Sequence, residues 1–200
     1  MSWVKVCGLT NEADVAAAVA AGADALGFVL AASSPRYVDV SRARLLMEDV
    51  PALRILVTVD AAPGAMAEMV AATGADGIQP HGNHAAATAR RARDAGLLVL
   101  RPLGAGEREM ADQVPEGQIP LLDSARGHEH GGTGKRLDWR SLKRPTRPFV
   151  LAGGLGPDNV GSAIAAVTPW GVDASTGLER APGIKDPARV AAFVAAAKGS

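Results

Sequence analysis

A single cysteine, Cys7, stands among 200 residues, so no internal disulfide can form and a reducing compartment suits the chain. Charge of one sign is also lacking. Lys and Arg number 21, as do Asp and Glu, and this balance leaves none of the strongly basic face that nucleic-acid binding requires. Long apolar runs are missing too. The longest are Ala-rich and broken by Gly, Asp or Glu, so no segment reads as a membrane span. The opening "MSWVKVCGLT" enters a strand pattern without the charged start and apolar core of a signal peptide. No G-x-x-x-x-G-K-[ST] loop occurs, which argues against nucleoside triphosphate chemistry. The expectation is a cytoplasmic globular protein with neither nucleic acid nor membrane as partner and no obligatory protein partner evident.

What is present is a repeated unit. Eight apolar runs of strand length occupy 3–7, 25–30, 54–60, 76–79, 97–102, 119–123, 148–153 and 170–175. Ala-rich helical stretches such as 11–21, 63–73, 83–95, 157–167 and 186–198 lie between them. Near-continuous apolar strands alternating with helices predict a parallel sheet covered on its outside. "AGADALG", "TGADGIQ" and "AGLLVL" each put a Gly between a helix and the next strand, where a left-handed residue ends the helix. Thr10, Asn11 or Ser41 can cap helix starts, and Pro157 and Pro187 suit a first turn. Eight such units predict a (β/α)8 TIM barrel, an α/β fold with a parallel eight-stranded barrel, as one domain over residues 1–200. A doubly wound open sheet is the alternative. It needs fewer units, and no G-x-G-x-x-G follows the first strand.

In a barrel, active sites gather at the C-terminal ends of the strands. Those ends read Cys7, Asp60, His81, Arg101, Asp123, Gly153, Gly154 and the run Asp173 to Ser175. Alternation along each strand points Lys5, Cys7, Gln79, His81, Asp123 and Asp173 inward, and Val99 and Arg101 with them. Buried charges must pair, and Lys5 and Arg101 read as members of a structural ion network. Cys7 and Asp123, at the rim, read as functional. "LAGGLGPDNV" and "VDASTGLERAPGIKD" follow the last two strands, and their glycines let backbone N–H groups approach an anion. Loops in this place form the phosphate site of many barrels, which points to Gly153, Gly154, Ser175 and Thr176. Arg36, in "SSPRYV", suits a two-bonded grip on a carboxylate, although a plain surface role is equally open. The glycine-rich loop 124–139 has the length of a lid. His128 and His130 within it lack further ligands at credible spacing, so no metal is expected.

The segments "KVCGLT", "GFVLAASSPRYV", "IQPHG", "LLDS", "GGTGKRLDW", "LAGGLGPDNV" and "GVDASTGLERAPGIKD", in this order along the whole chain, resemble the phosphoribosylanthranilate isomerase family of tryptophan biosynthesis. Pro80 departs from the apolar residue usual before the His-Gly pair, and Thr176 stands where Ser is common. The resemblance implies an Amadori rearrangement of N-(5-phosphoribosyl)anthranilate without cofactor or metal. It implies Cys7 as general base, Asp123 as general acid and Arg36 on the substrate carboxylate. Gly153, Gly154, Ser175 and Thr176 would hold the phosphate, with His81 and Asp173 also lining the substrate site. By its chemistry a thiol base gains from a cationic neighbour or a helix dipole, and Lys5 lies two residues earlier on the same inward face, with the helix starting near Thr10 close by. A histidine-pathway or dual-substrate isomerase, or a silent barrel that binds a phosphorylated metabolite, is the alternative.

Overall fold

The computed structural model describes residues 1–104, 106–123, 139, 142 and 144–199. Eight parallel strands close into a barrel: β1 Trp3–Cys7, β2 Ala25–Val29, β3 Leu53–Val59, β4 Gly77–His81, β5 Leu98–Leu103, β6 Ile119–Leu122, β7 Val150–Leu151 and β8 Gly171–Ala174. Closure is direct, since β8 pairs with β1 from Trp3↔Gly171 to Val6↔Ala174. The helices α1 Glu12–Ala20, α2 Val40–Met47, α3 Pro63–Thr73, α4 Ala85–Asp94, α5 Val160–Val167 and α6 Pro187–Lys198 lie along the chain between the strands and after the last of them.

Local chemistry explains the helix starts. Asn11 caps α1 by accepting from the Asp14 N–H, and Asp186 caps α6 ahead of Pro187. The cap of α2 is Asp39, two residues before the expected Ser41. Pro157 lies ahead of α5 rather than in its first turn, because the chain first makes the turn discussed below. After β5 the described chain forms a 3-10 turn, Arg108–Gln113, where the repeat predicts an α-helix.

Two apolar layers sandwich the strands. Ala25, Ile55, Leu100, Leu121, Val150 and Ala152 fill the barrel interior. Outside, Val6, Leu26, Phe28, Leu56 and Val172 pack against helix residues such as Leu46, Met47, Val190 and Phe193. The stacked rings of Trp3 and Trp170, 5.0 Å apart, stand at the N-terminal ends of β1 and β8.

One sequence expectation is overturned by the register. Leu98 pairs with Gly77 and Val99 with Ile78, and Val99 and Ile78 pack on Ala89 and Ala92 of α4. Val99 and Arg101 therefore face outward, while Leu98, Leu100 and Pro102 take the interior side. The paired residues of β4 and β5 end at Ile78↔Val99, two residues before Pro80, which has no N–H to extend the ladder. On its other side β4 stays paired with β3 through Val59↔His81, so His81 remains fixed.

Between β8 and α6 an antiparallel hairpin interrupts the repeat: β9 Glu179–Ala181 and β10 Ile184–Lys185. Lys185 is fully buried, and its N–H donates to Asp14 of α1. The hairpin is thereby fastened to the barrel wall beside the site.

Candidate active site

A cavity of about 690 Å³ opens at the C-terminal ends of the strands and is walled by Cys7, Asp123, Arg36, His81, Gly153, Gly154, Asp173, Ser175 and Thr176. Residues from β1, β4, β6, β7 and β8 meet there because parallel strands all end on the same rim. His128, His130 and most of the loop 124–139 lie outside the described residues.

Cys7 ends β1 and is 7% exposed. Beneath it Lys5, with no exposed surface, donates to Asp173 Oδ1 at 3.0 Å and to Gln79 Oε1 at 2.9 Å. Because Gln79 accepts through its oxygen, its amide nitrogen faces His81 Nε2 at 3.1 Å, and His81 accepts there. Burial works against the Lys5 charge, yet Asp173 and Cys7 together raise it above the ordinary lysine value. The cation expected beside Cys7 is thus present. Its effect on the thiol is nonetheless outweighed, because burial and the Asp173 charge push Cys7 up while Lys5 pulls it down. Burial likewise pushes Asp173 up, opposed by Lys5 and assisted by the Asp123 charge.

Asp123 follows β6. Its N–H donates to the Leu103 carbonyl at 3.1 Å, and its own carbonyl accepts from Arg108 Nε at 3.1 Å. Its backbone is therefore pinned on both sides, and the carboxyl side chain stands half-buried in the cavity wall.

Arg36 grips a carboxylate, but one of its own chain. Nε and Nη2 donate to the two oxygens of Glu179 at 2.7 and 2.8 Å, and Nη2 also reaches Thr176 Oγ1 at 3.1 Å. Buried Lys185 donates to the same Glu179 at 2.9 Å. Burial opposes ionisation of Glu179, but the two cations outweigh it and hold the carboxyl below its ordinary value. Gly8 makes this arrangement possible: a Cβ there would lie 2.4 Å from Arg36 Cδ, and its φ of +77° forms the turn after Cys7.

The two glycine-rich loops are braced against each other. Gly153 and Gly154 both adopt positive φ. Asn159 accepts from the Gly156 N–H and donates to the Gly154 carbonyl, each at 2.9 Å. Gly177 lies so close to Leu155 that a Cβ would sit 2.0 Å from its carbonyl oxygen, and Arg189 donates to the Gly177 carbonyl at 2.8 Å. Glu179, which lines the cavity, and Lys185 and Gly27 behind it are not singled out by the sequence. Gly27 alone carries a sequence signal, since a glycine inside a strand marks a close approach.

A family model described as N-(5′-phosphoribosyl)anthranilate isomerase matches residues 4–196. The chain belongs to this isomerase family. A phosphoribosylanthranilate isomerase relative from Rubrobacter xylanophilus is 42% identical over 205 residues, covering 99% of this chain and all of the relative. The crystal structure of phosphoribosyl anthranilate isomerase from Thermotoga maritima superposes with a TM-score of 0.90 at 36% identity, with both chains fully covered. Another solved isomerase, in complex with reduced 1-(o-carboxyphenylamino)-1-deoxyribulose 5-phosphate, gives 0.84 at 32% identity and full coverage of both chains. The phosphoribosylanthranilate isomerase barrel of tryptophan biosynthesis is therefore the frame in which the cavity is to be understood.

Proposed function

We propose that the chain, as one barrel domain, converts N-(5-phosphoribosyl)anthranilate to 1-(2-carboxyphenylamino)-1-deoxyribulose 5-phosphate, with Cys7 as general base and Asp123 as general acid. The observation that carries this reading is that a thiol and a carboxyl from different strands wall one cavity between an arginine cluster and two braced glycine loops. Asp123 gives a proton to the ribose ring oxygen, the ring opens, and the C1–N bond becomes an iminium. Cys7 then removes the proton from C2, and the electron pair left behind forms the C1–C2 double bond of the enolamine. Tautomerisation delivers the ketone. An acid and a base must flank the sugar at hydrogen-bond distance, and general acid–base catalysis of this kind contributes about 10²–10⁴-fold per group.

Charge orders the substrate. Arg36, Glu179 and Lys185 bring two cations to one anion, a surplus that suits an added carboxylate. The phosphate takes the adjoining wall, at Gly153, Gly154, Ser175 and Thr176, where Thr176 already accepts from Arg36, with His81 and Asp173 completing the wall. Two proton transfers call for no cofactor, metal or obligatory protein partner, and the reaction suits the cytoplasm. The test is to mix purified protein with freshly made phosphoribosylanthranilate and follow loss of anthranilate fluorescence against spontaneous decay. Catalysed loss is expected. Its absence in folded protein, with turnover of an aminoimidazole phosphoribosyl substrate instead, would transfer the reading to the histidine-pathway reaction.

A further inference from the structure

Lys5 does more than balance a buried charge. Its Cα lies beside Ala25 of β2, while Cys7 lies beside Gly27. A Cβ placed on Gly27 would meet Lys5 Cε and Nζ at 3.1 Å each and Cys7 Sγ at 2.7 Å. The lysine therefore climbs one layer toward the rim, and its ammonium and the thiol converge on the space that Gly27 leaves empty. An ammonium has three protons to donate. Two go to Asp173 and Gln79, and the Cys7 sulfur borders the same space over Gly27 as the ammonium.

We infer that Lys5 is a positioning residue that holds the Cys7 thiolate during proton abstraction, and that Gly27 lacks a side chain so that the two can meet. Removing a proton from sugar C2 requires a thiolate in a nearly dry site, where an unpaired anion is costly. Asp173 and Gln79 keep the ammonium in place, and the free thiolate then finds a donor already aligned. Other charges facing Cys7 come from Lys185 on β10 and from Arg36 after β2, with Asp173 on β8 opposing them. Lys5 is the nearest of the cations in sequence and the only one drawn from the same strand.

This inference rests on Cys7 being the base, but its test does not. Cys7 is the only cysteine, so thiolate absorbance in the ultraviolet and the rate of alkylation by iodoacetamide both report one site. In Lys5→Met, both transitions should move upward by about one pH unit or more, a roughly tenfold loss of thiolate at fixed pH. At neutral pH kcat should fall by about tenfold with KM little changed, as expected when only transition-state support is lost. Gly27→Ala keeps every charge and should shift the thiol in the same direction by a smaller amount. It also serves if Lys5→Met does not fold. An unmoved thiol transition in folded Lys5→Met, or in Gly27→Ala where that is the only folded variant, overturns the inference. A shifted transition together with full turnover by Cys7→Ala would retain the Lys5–Cys7 contact and instead remove Cys7 from its role as base.

Discussion

Two ion clusters flank the cavity, and they are built on different foundations. Lys5, Asp173 and Gln79 sit on β1, β8 and β4, inside a closed barrel whose registers leave no freedom to slide. Arg36, Glu179 and Lys185 sit on the segment after β2 and on a hairpin inserted beyond β8. On the proposed mechanism the first cluster would support proton transfer at the thiol, and the second, with two cations to one anion, would set which substrate is held. A barrel can thus change its substrate by altering inserted segments while its proton chemistry stays on the strands.

The largest expected effect lies in the strand-borne set. Cys7→Ala and Asp123→Asn should each lower kcat by about 10²–10⁴-fold while substrate affinity, measured by equilibrium binding, changes little. Full turnover in either variant would move proton transfer away from that residue and blur the contrast between the clusters. The pH profile sharpens the contrast. Because burial holds the Cys7 thiol above its ordinary value, its ultraviolet thiolate absorbance should still be climbing well beyond about 8.5, where a free thiol is half ionised. A plateau reached well below that would contradict the burial effect.

The hairpin cluster should respond in KM instead. Glu179→Gln releases one partner of the Arg36 fork, and a charge-assisted bond contributes about 1.5–3 kcal/mol. A KM increase of about tenfold is expected, with kcat altered much less, and the increase should vanish for an analogue lacking the ring carboxylate. Acid should act in the same way. Glu179 is held below its unfolded value by Arg36 and Lys185 against the cost of burial. Its contribution is complete above the unfolded carboxyl value of about 4.3 and is lost as pH falls through the lower folded value. Stability measured by denaturant titration across that acid window should therefore fall less steeply in Glu179→Gln than in the parent.

The difference between the two clusters also decides what could be read from the sequence. All eight strands, and the placement of Cys7 and Asp123 at strand ends, follow from apolar runs of strand length and from alternation. Alternation misplaces Arg101 because its run offers apolar residues on both faces, so it cannot set the parity alone. Only the pairing of Leu98 with Gly77 does so. The hairpin was illegible for another reason. Glu179–Ala181 and Ile184–Lys185 are too short and too polar to show a period, and Lys185 buries its charge because Glu179 is folded back against it and Ser175 accepts beside it. Gly183, at φ +77°, makes the turn between the two strands.

The smallest effect tests where the hairpin cluster meets the loop after β8. Thr176 Oγ1 accepts from Arg36 Nη2 at 3.1 Å, and Thr176 also belongs to the loop assigned to phosphate. Thr176→Ser keeps the hydroxyl and removes one methyl, so a change in KM of less than about twofold is expected. Thr176→Val keeps the shape and removes the oxygen, which leaves one arginine donor without its acceptor. An Arg36 held chiefly by Glu179 should tolerate this with a KM rise of about fivefold, since one neutral acceptor contributes near 1 kcal/mol. A loss in Thr176→Val as large as that in Glu179→Gln would mean that the hydroxyl, and not the hairpin carboxylate, orients the guanidinium. The substrate-holding cluster would then be anchored on the β8 loop of the barrel itself, and the division between strand chemistry and inserted recognition would have to be drawn one residue nearer the rim.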